Sequence, residues 1–569
     1  MKKIVHGRGA KSAKKGEEKP SKPEELLAAR QRLQETVGPL DDPLDDGDAV
    51  VRAFKLPRAF PAEVLAEADA LDAPVAADAK GRLDLRRKFI FTCDPETAKD
   101  FDDALSIETD RKGNRVLGVH IADVSHYVVQ GSAIDREAAR RSTSVYLADR
   151  VVPMLPERLC NGVCSLMPGV DRFAFSVFIT FDRQGRPIAR RFAKSVIRSS
   201  ARFTYEQIMA VIRGEKPFGV SVSARARREI LRLHELAQQL RAARYAAGAL
   251  NMEVPELEVV LDAAGEMTGV EARVYDESHQ LVEQCMVAAN IAVATELWTK
   301  GIRILARLHA GPDSERIEEL RAELARMGVR CGDLTRPKGV ADFLSRLKGP
   351  LKPIITQLVL RALKRACYSA REIGHFGLAA PYYAHFTSPI RRYPDLVLHR
   401  QLADYLAGGS TGGRGRMDQK YLDRAALHAS EREMLADEAE RAMVELKKFR
   451  FLYDQLTSGR TIDYEAVISR CVSYGAFVEI PAIGAYGLVH VSNLASSYVT
   501  FDPRREILAA GSRTWKTGDV MRVRVCRVDF EERHADFVPC DFDSSADRAL
   551  RRFAKPARGH APMHGKRRR

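Results

Sequence analysis

Apolar positions along the chain follow two different periods, and a third pattern appears near the C-terminus. From about residue 88, short apolar runs alternate with longer stretches in which apolar residues recur every three or four positions. The short runs predict strands and the longer stretches predict helices, as in an α+β body. From residue 459 the pattern changes to short β-rich runs separated by Gly and Pro. Five such strands in about 80 residues predict a small, partly open barrel of the OB type.

The elements of the predicted body are well separated along the sequence. Strands are expected at 88–92, 115–119, 173–181 and 190–198. Helices are expected at 223–247, 279–300, 314–327, 354–366 and 395–406, and a long amphipathic helix at 417–456. Ahead of the body, residues 24–37 and 62–70 predict two helices joined by a Pro- and Asp-rich connection.

These changes of pattern predict several domains, because 569 residues are too many for one ordinary core. The expected boundaries are 1–22 for a basic arm without regular structure, 23–85 for a helical and linker segment, 86–456 for the body, 457–542 for the barrel, and 543–569 for a basic tail. No run of about 18 apolar residues is present, so no membrane span is expected. The N-terminus also lacks the apolar region of a secretory signal.

Charge and cysteine usage narrow the class of protein. The net charge is +15, and basic residues concentrate at both ends. Such ends can be solubilising arms, but a polyanionic partner is at least as plausible because cationic arms release counterions from phosphates. The nine cysteines are scattered without a Cys-x-x-Cys pair. That argues against zinc and a disulfide framework, and predicts a cytoplasmic protein.

Four aspartates lie within ten residues, directly after an apolar run: Asp94, Asp100, Asp102 and Asp103. Like charges this close cannot all ionise without a cation, and a hard divalent metal favours carboxylate oxygens. A calcium loop is excluded because Ala98 and Lys99 stand where that template needs an oxygen ligand and a glycine. A solvated acidic loop is disfavoured because the flanking runs are apolar. In so basic a chain, the cluster predicts phosphoryl chemistry on nucleic acid.

A second site candidate lies far downstream. Ser388 and Pro389 predict a helix N-terminus, with Arg391 and Arg392 in its first turn. Positive charge is unfavourable there unless an anion is bound, which predicts a phosphate site. The alternative is that both arginines pair with Asp395 or with glutamates.

Several ordered motifs carry a family resemblance. They are Asp-x5-Asp-x-Asp-Asp-Ala-Leu from Asp94, and residues 120–127, 143–147, 152–156, 281–290 and 385–395. Together they resemble the ribonuclease II/ribonuclease R family, whose catalytic body is the RNB domain. Residues 475–478 and 487–492 resemble its C-terminal S1-type RNA-binding domain. Members commonly carry two cold-shock domains ahead of the body, and only about 85 residues stand there in this chain.

The resemblance implies a 3′→5′ exoribonuclease that releases nucleoside 5′-monophosphates from single-stranded RNA. It implies a metal set of Asp94, Asp100, Asp102 and Asp103, with Asp102 also essential for hydrolysis. The metal would be Mg²⁺, for which Mn²⁺ could substitute. Arg391 matches the arginine on the scissile phosphate, and Arg392 is a helper. Tyr146 matches a tyrosine that stacks on a terminal base and helps set the length of the final product.

The resemblance also implies RNA-binding residues on the barrel. Phe477, His490 and Tyr474 are candidates for stacking on bases, although barrel packing is an equal alternative for Phe477. A monomer is expected, in which the barrel and the basic ends gather RNA without cold-shock domains. Two other functions stay open from sequence: a catalytically silent RNA-binding relative, and a nuclease that acts on DNA.

Three further side-chain sets are expected to be structural or remain unassigned. Glu283, Met286 and Asn290 share one helical face and are expected in the core. His120 and His126 are expected to be buried structural histidines. Glu440, on the long helix, is a candidate neighbour of the RNA channel.

Overall fold

The computed structural model describes residues 23–73, 79–251, 257–349, 351–408, 417–495, 497–503 and 505–541. The predicted arm at 1–22 and tail at 543–569 lie outside these ranges. The helices within them are α1 (Pro23–Thr36), α2 (Asp46–Ala53), α3 (Ala62–Asp69), α4 (Val124–Tyr127), α5 (Ala133–Arg141), α6 (Tyr205–Ile212), α7 (Ala224–Ala247), α8 (Glu277–Thr299), α9 (Ser314–Arg326), α10 (Pro337–Arg346), α11 (Lys352–Ala362), α12 (Tyr393–Leu406), α13 (Gln419–Thr457) and α14 (Val491–Leu494). None of these described helices is both long and apolar enough to cross a membrane.

The strands divide between the body and the barrel. They are β1 (Leu83–Asp84), β2 (Phe91–Cys93), β3 (Asp103–Thr109), β4 (Arg115–Ala122), β5 (Val145–Tyr146), β6 (Val151–Val152), β7 (Asp171–Phe181), β8 (Pro187–Arg198), β9 (Ala201–Phe203), β10 (Leu257–Leu261), β11 (Met267–Ala272), β12 (Ala306–Leu308), β13 (Cys367–Ser369), β14 (Tyr464–Val472), β15 (Gly475–Ile480), β16 (Ala485–His490), β17 (Thr500–Asp502), β18 (Ile507–Ala510), β19 (Arg513–Trp515), β20 (Val520–Asp529) and β21 (His534–Pro539).

A seven-stranded sheet forms the centre of the body, in the order β1-β8-β7-β4-β3-β2-β9. Its strands pair antiparallel except at the two edges, where β1 joins β8 and β2 joins β9 in parallel. Helices cover both faces, so β7 is apolar at successive positions. Phe175 and Val177 face the layer of α6, α7 and α8, whereas Ala174 and Phe178 face the layer of α3, α5 and α12. This arrangement confirms the α+β class.

The C-terminal strands form a closed five-stranded barrel in the order β14-β15-β16-β21-β20. The OB-type barrel predicted from sequence is therefore present. It is closed rather than partly open, because β16 and β21 pair in parallel through Leu488 and Asp536.

The segment ahead of the body is more ordered than the sequence predicted. The expected Pro- and Asp-rich connection between two helices contains a third helix, α2, so that prediction is wrong. Val50, Val51 and Phe54 belong to one buried apolar cluster with Met443 of α13 and Phe530 of the barrel. Tertiary contacts with distant residues therefore stabilise α2, and no local pattern reports them.

A buried charge network lies at the centre of this packing. The Asp46 carboxylate accepts hydrogen bonds from the Arg450 guanidinium at 2.7 and 2.8 Å and pairs with Lys447 Nζ at 2.8 Å. Lys447 also donates to the carbonyls of Pro43 and Gly265. All three charged residues are at most 5% exposed. The network ties α2, α13 and the β10–β11 hairpin together.

Replacement of Asp46 by alanine is expected to destabilise the docking of the N-terminal segment by about 3–5 kcal/mol, because two buried cations lose their counter-charge. The midpoint of the first unfolding transition in urea measures the effect. As a control, Asp454→Ala removes the Asp454–Arg460 pair, in which both side chains are more than half exposed, and should cost less than about 1 kcal/mol. Equal effects of the two substitutions would contradict the account.

Candidate active site

The aspartate loop, residues 94–102, connects β2 to β3 and is fixed by side chains from distant parts of the chain. Ser165 Oγ accepts the N–H of Phe101 at 3.1 Å and donates to the Lys99 carbonyl at 2.7 Å. Arg202 Nη2 donates to the carbonyls of residues 95 and 96, both at 2.7 Å. These contacts therefore define the shape of the loop.

Burial makes Asp94, at the start of this loop, and Asp103, directly after it, difficult to ionise. Burial, and then the charge of Asp103, raises the pKa of Asp94 far above its usual value. Burial also raises the pKa of Asp103, against the opposing effect of Arg391. Asp94 Oδ2 is a buried oxygen that has no hydrogen-bond partner among the described residues. An unpartnered buried carboxylate oxygen favours a proton or a cation at this position.

Asp102 connects the aspartate loop to a turn that lies 288 residues further along the chain. It is 5% exposed, and its Oδ1 accepts the backbone N–H of Ile390 at 3.0 Å. Burial raises the pKa of Asp102 well above the ordinary value, while the Ile390 N–H and the charge of Arg391 oppose that shift. One oxygen of this carboxylate is thus held in a fixed direction.

The turn that contains Ile390 differs from the predicted helix start. Helix α12 begins at Tyr393, so the expectation that Ser388 and Pro389 begin the helix is wrong. The Ser388 carbonyl accepts the N–H of Arg392 at 3.0 Å, which closes a turn ahead of the helix. Arg392 is held in an extended conformation because its backbone pairs with Thr143.

The two arginines of this turn face different surroundings. Arg391 is exposed, donates to Ser388 Oγ at 3.2 Å, and makes no ion pair within the described ranges. Arg392 is directed inward and donates to Asp395 Oδ1 at 2.8 Å, which also accepts the N–H of Ser388. The pairing with Asp395, considered as an alternative from sequence, is thus present for Arg392, but it is buried. Arg391 remains available to an anion beside the aspartates.

Tyr146 of β5 lies beside the same cluster. Its N–H donates to Glu440 Oε1 of α13 at 2.8 Å. Burial of the hydroxyl end raises its pKa to about 12, with Arg391 lowering the pKa and Asp100 and Asp102 raising it. The residue as a whole is 41% exposed. The structure thus brings four aspartates, Arg391 and Tyr146 into one site.

The three predicted RNA-binding residues of the barrel do not contact the described residues of the aspartate site. The rings of Tyr474 and Phe477 are 6.1 Å apart, and Phe477 is only partly buried. His490 is exposed, and its Nδ1 accepts the N–H of Ser492, which caps α14. Within the described ranges, no hydrogen bond, ion pair or ring contact joins these residues to the aspartates.

Several supporting residues were missed or left unassigned by sequence. Ser165 and Arg202 contact the aspartate loop from positions more than 60 residues away, and nothing local marks them. Asn290, expected only in the core, is buried there and its Oδ1 accepts the N–H of Phe386 at 2.9 Å, just ahead of the turn. His120 lies between the hydroxyls of Ser106 and Ser176 and is structural, as expected.

No group of three or more Asp, Glu, His or Cys side chains in the described ranges is arranged to hold a metal ion by itself. Mg²⁺ does not require such a cage, since it is usually bound by one or two carboxylates together with water and substrate phosphates. The free oxygen of Asp94 and the raised pKa values of its neighbours fit this mode of binding.

The raised pKa of Asp94 predicts a stability that depends on pH. In the presence of a chelator, the unfolded chain ionises Asp94 above about pH 3.9, whereas the folded protein resists ionisation until a higher pH. The native state then binds more protons, so stability falls as pH rises through this interval. Asp94→Asn cannot ionise, so it avoids this loss of stability.

The melting temperature of Asp94→Asn should therefore rise relative to that of the unsubstituted protein between about pH 4, near the ordinary pKa of Asp, and about pH 8, the raised pKa of Asp94. Scanning fluorimetry with a chelator measures the difference. A difference that is independent of pH would show that Asp94 ionises normally.

Comparisons with known proteins agree with this geometry. Residues 82–408 match the RNB domain and residues 463–537 match the S1 RNA binding domain. Ribonuclease R of Thermotoga maritima is 41% identical over 523 residues, which cover 90% of this chain and 73% of that protein. Ribonuclease R of Escherichia coli K12 is 35% identical over 558 residues, which cover 94% of this chain and 67% of that protein.

A solved structure extends the likeness to three dimensions. Ribonuclease R of Mycoplasma genitalium, in complex with ribose-methylated single-stranded RNA, superposes with a TM-score of 0.81. It is 28% identical, and the match covers 88% of this chain and 78% of that one. The chain belongs to the ribonuclease II/ribonuclease R family, with an RNB domain followed by an S1 RNA-binding domain.

Proposed function

We propose that this protein is a 3′→5′ exoribonuclease that hydrolyses single-stranded RNA to nucleoside 5′-monophosphates. The hydrogen bond from Ile390 to Asp102 carries this proposal, because it places the aspartate loop opposite Arg391 and beside Tyr146. The similarity to ribonucleases R supports the same activity. A catalytically silent role is not favoured, since the four aspartates and Arg391 are all present.

Each side chain of the site has a separate role in the proposed hydrolysis. Tyr146 stacks on the terminal base, which any of the four bases permits. Arg391 neutralises the scissile phosphate, and Asp102, fixed by Ile390, takes a proton from the attacking water. The water oxygen bonds to phosphorus as the P–O3′ bond breaks, and the terminal nucleotide leaves as its 5′-monophosphate. The proton taken from the water balances the one that O3′ takes up to become the 3′-hydroxyl of the shortened RNA.

Mg²⁺ is the proposed cofactor, with Mn²⁺ as a substitute. Asp94, Asp100, Asp102 and Asp103 are the carboxylates from which its protein ligands would come. A bound divalent ion would supply charge neutralisation at the phosphate and a more acidic water. The cluster provides the negative charge that such an ion requires.

We also propose that RNA reaches the site past the outer face of the barrel. A cleft of about 790 Å³ separates this face from helices α9 and α11. Phe477 and Tyr486 line its barrel wall, and Tyr486 is 57% exposed. Gln357 and Arg361 of α11 line the wall opposite Tyr486. The aromatic rings suit stacking on bases and the cations suit phosphates.

The charge of the cleft favours a polyanion. Its cationic side chains are Arg326, Arg361, Arg470, Arg505 and Lys516, and its acidic side chains are Glu323, Glu479 and Glu506. The excess of positive charge attracts single-stranded nucleic acid.

All nine cysteines are free, which supports the proposal that the protein acts in the cytoplasm.

Incubation of 5′-labelled RNA and DNA of the same sequence with Mg²⁺ tests the proposed activity. We expect progressive shortening of the RNA only, and loss of shortening in a chelator. Asp102→Asn should slow the reaction at least about a hundredfold, since it removes the proton acceptor while keeping the shape, and should leave RNA binding intact.

Glu96→Gln is the matched control, because Glu96 is an exposed acid of the same loop. It should shorten RNA at the unsubstituted rate. RNA binding without any shortening by the unsubstituted protein would refute the proposed activity.

Loss of an aromatic ring from the cleft should weaken RNA binding. Phe477→Ala and Tyr486→Ala are each expected to cost about 1–3 kcal/mol of binding free energy for a long single strand. Each substitution is made in the Asp102→Asn protein, so that the RNA is not degraded. Fluorescence anisotropy with a labelled oligonucleotide then measures the affinity of each variant for RNA. Tyr498→Ala is the control, since Tyr498 is 88% exposed but does not line the cleft. Equal affinities for all three variants would place the RNA elsewhere.

A further inference from the structure

The hairpin that carries Tyr146 has two faces with different surroundings. It consists of β5 and β6, in which Tyr146 pairs with Val151. Val145, Leu147 and Val152 are buried on its inner face, whereas Tyr146 and Val151 are 41% and 52% exposed on its outer face. Because successive side chains of a strand point to opposite faces, support of the inner face fixes how far Tyr146 reaches into the site.

The support comes in large part from the N-terminal segment. The inner side chains of the hairpin share a buried apolar cluster with Val50, Val51 and Phe54 and with Met443 and Leu446 of α13. Glu440 of α13 also accepts the N–H of Tyr146. The hairpin therefore packs with residues of both the N-terminal segment and α13.

An ion pair joins the tip of the hairpin to the first turn of α2. The tip is a tight turn in which the N–H of Leu147 donates to the Arg150 carbonyl at 2.9 Å. Arg150 Nη1 donates to Asp48 Oδ1 at 2.7 Å. Asp48 also accepts a hydrogen bond from Arg58 at 2.9 Å.

Gly47 of α2 leaves room for side chains of the tip. A Cβ at Gly47 would lie 2.2 Å from Asp149 Oδ2, far inside normal contact distance. The absence of a side chain lets the Asp149 carboxylate lie over the N-terminal turn of α2, where negative charge is favourable. Gly47, Asp48, Asp149 and Arg150 thus form one docking contact, which we call the hairpin clamp.

We infer that the hairpin clamp is a positioning element that sets the reach of Tyr146 and thereby the length of the final RNA product. This inference rests on the proposed exoribonuclease activity. The N-terminal segment then acts on the reaction without touching RNA. It acts by setting how far the Tyr146 ring extends toward the terminal base.

The physical link to product length is retention of the shortened strand. As the RNA becomes short, it loses contacts with the rest of the protein, and stacking on Tyr146 becomes a larger share of its binding. A ring that is held less firmly stacks less well, so the strand dissociates earlier. Loosening the clamp should then leave a longer final product, in the same direction as Tyr146→Ala.

The test compares final product lengths on a denaturing gel at single-nucleotide resolution, with the full chain and 5′-labelled RNA. Arg150→Ala and Asp48→Ala should each lengthen the final product, and Arg150→Lys, which keeps the charge, should restore the original length. In the Tyr146→Ala background, Arg150→Ala should add nothing, because a positioning residue acts only through the residue that it positions.

Asp423→Ala is the matched control. It removes a comparable ion pair with Arg371 at 2.6 Å, in which the Asp423 side chain is 28% exposed against 29% for Asp48. This substitution should leave the product length unchanged. Melting temperatures of all variants show that each one is folded.

Three results would overturn the inference while the proposed activity stands. One is an unchanged product length in Arg150→Ala and Asp48→Ala, and a second is a lengthening that adds to that of Tyr146→Ala. An unchanged length in Tyr146→Ala itself would also overturn it. If the unsubstituted protein fails to shorten RNA, the proposed activity fails first, and the inference fails with it.

Discussion

The site depends on one constraint: several aspartate carboxylates are buried close together. The carboxyls of Asp94, Asp102 and Asp103 are largely removed from water, so their ionisation is costly. The surrounding structure supplies partial compensation through the N–H of Ile390 and the guanidinium of Arg391. The negative charge that remains uncompensated would attract a divalent ion, and that ion would in turn bind a phosphate. The same charges therefore suit the site to phosphodiester hydrolysis.

The rest of the chain fixes the aspartate loop, Arg391 and Tyr146 relative to one another. Helix α13 has the largest share in that support, since it carries Glu440, which binds the Tyr146 strand, and Lys447 and Arg450, which bind Asp46. Through these residues one helix connects the active-site hairpin with the N-terminal segment. The N-terminal helices therefore support the site through α13.

The sequence predicted the parts that a local pattern encodes. The α+β alternation and the barrel both appear as expected. Helix α2 was missed because Asp46 is stabilised by Arg450, more than 400 residues away. The helix start at Ser388 was predicted wrongly because the pairing of Arg392 with Thr143 overrides a good local capping signal. Arg202 and Ser165 carry no signal at all, since their role exists only in the folded loop.

The order in which nucleotides leave the RNA tests the central claim most directly. A single-stranded RNA labelled at its 3′-terminal nucleotide, incubated with the unsubstituted protein and Mg²⁺, should release the label at once as a nucleoside 5′-monophosphate. Strands labelled at the 5′ end should shorten stepwise in parallel and keep their label until the final product. Release of the 3′ label within longer oligonucleotides would show internal cleavage, and would contradict a site that acts on the terminal nucleotide held by Tyr146 and Arg391.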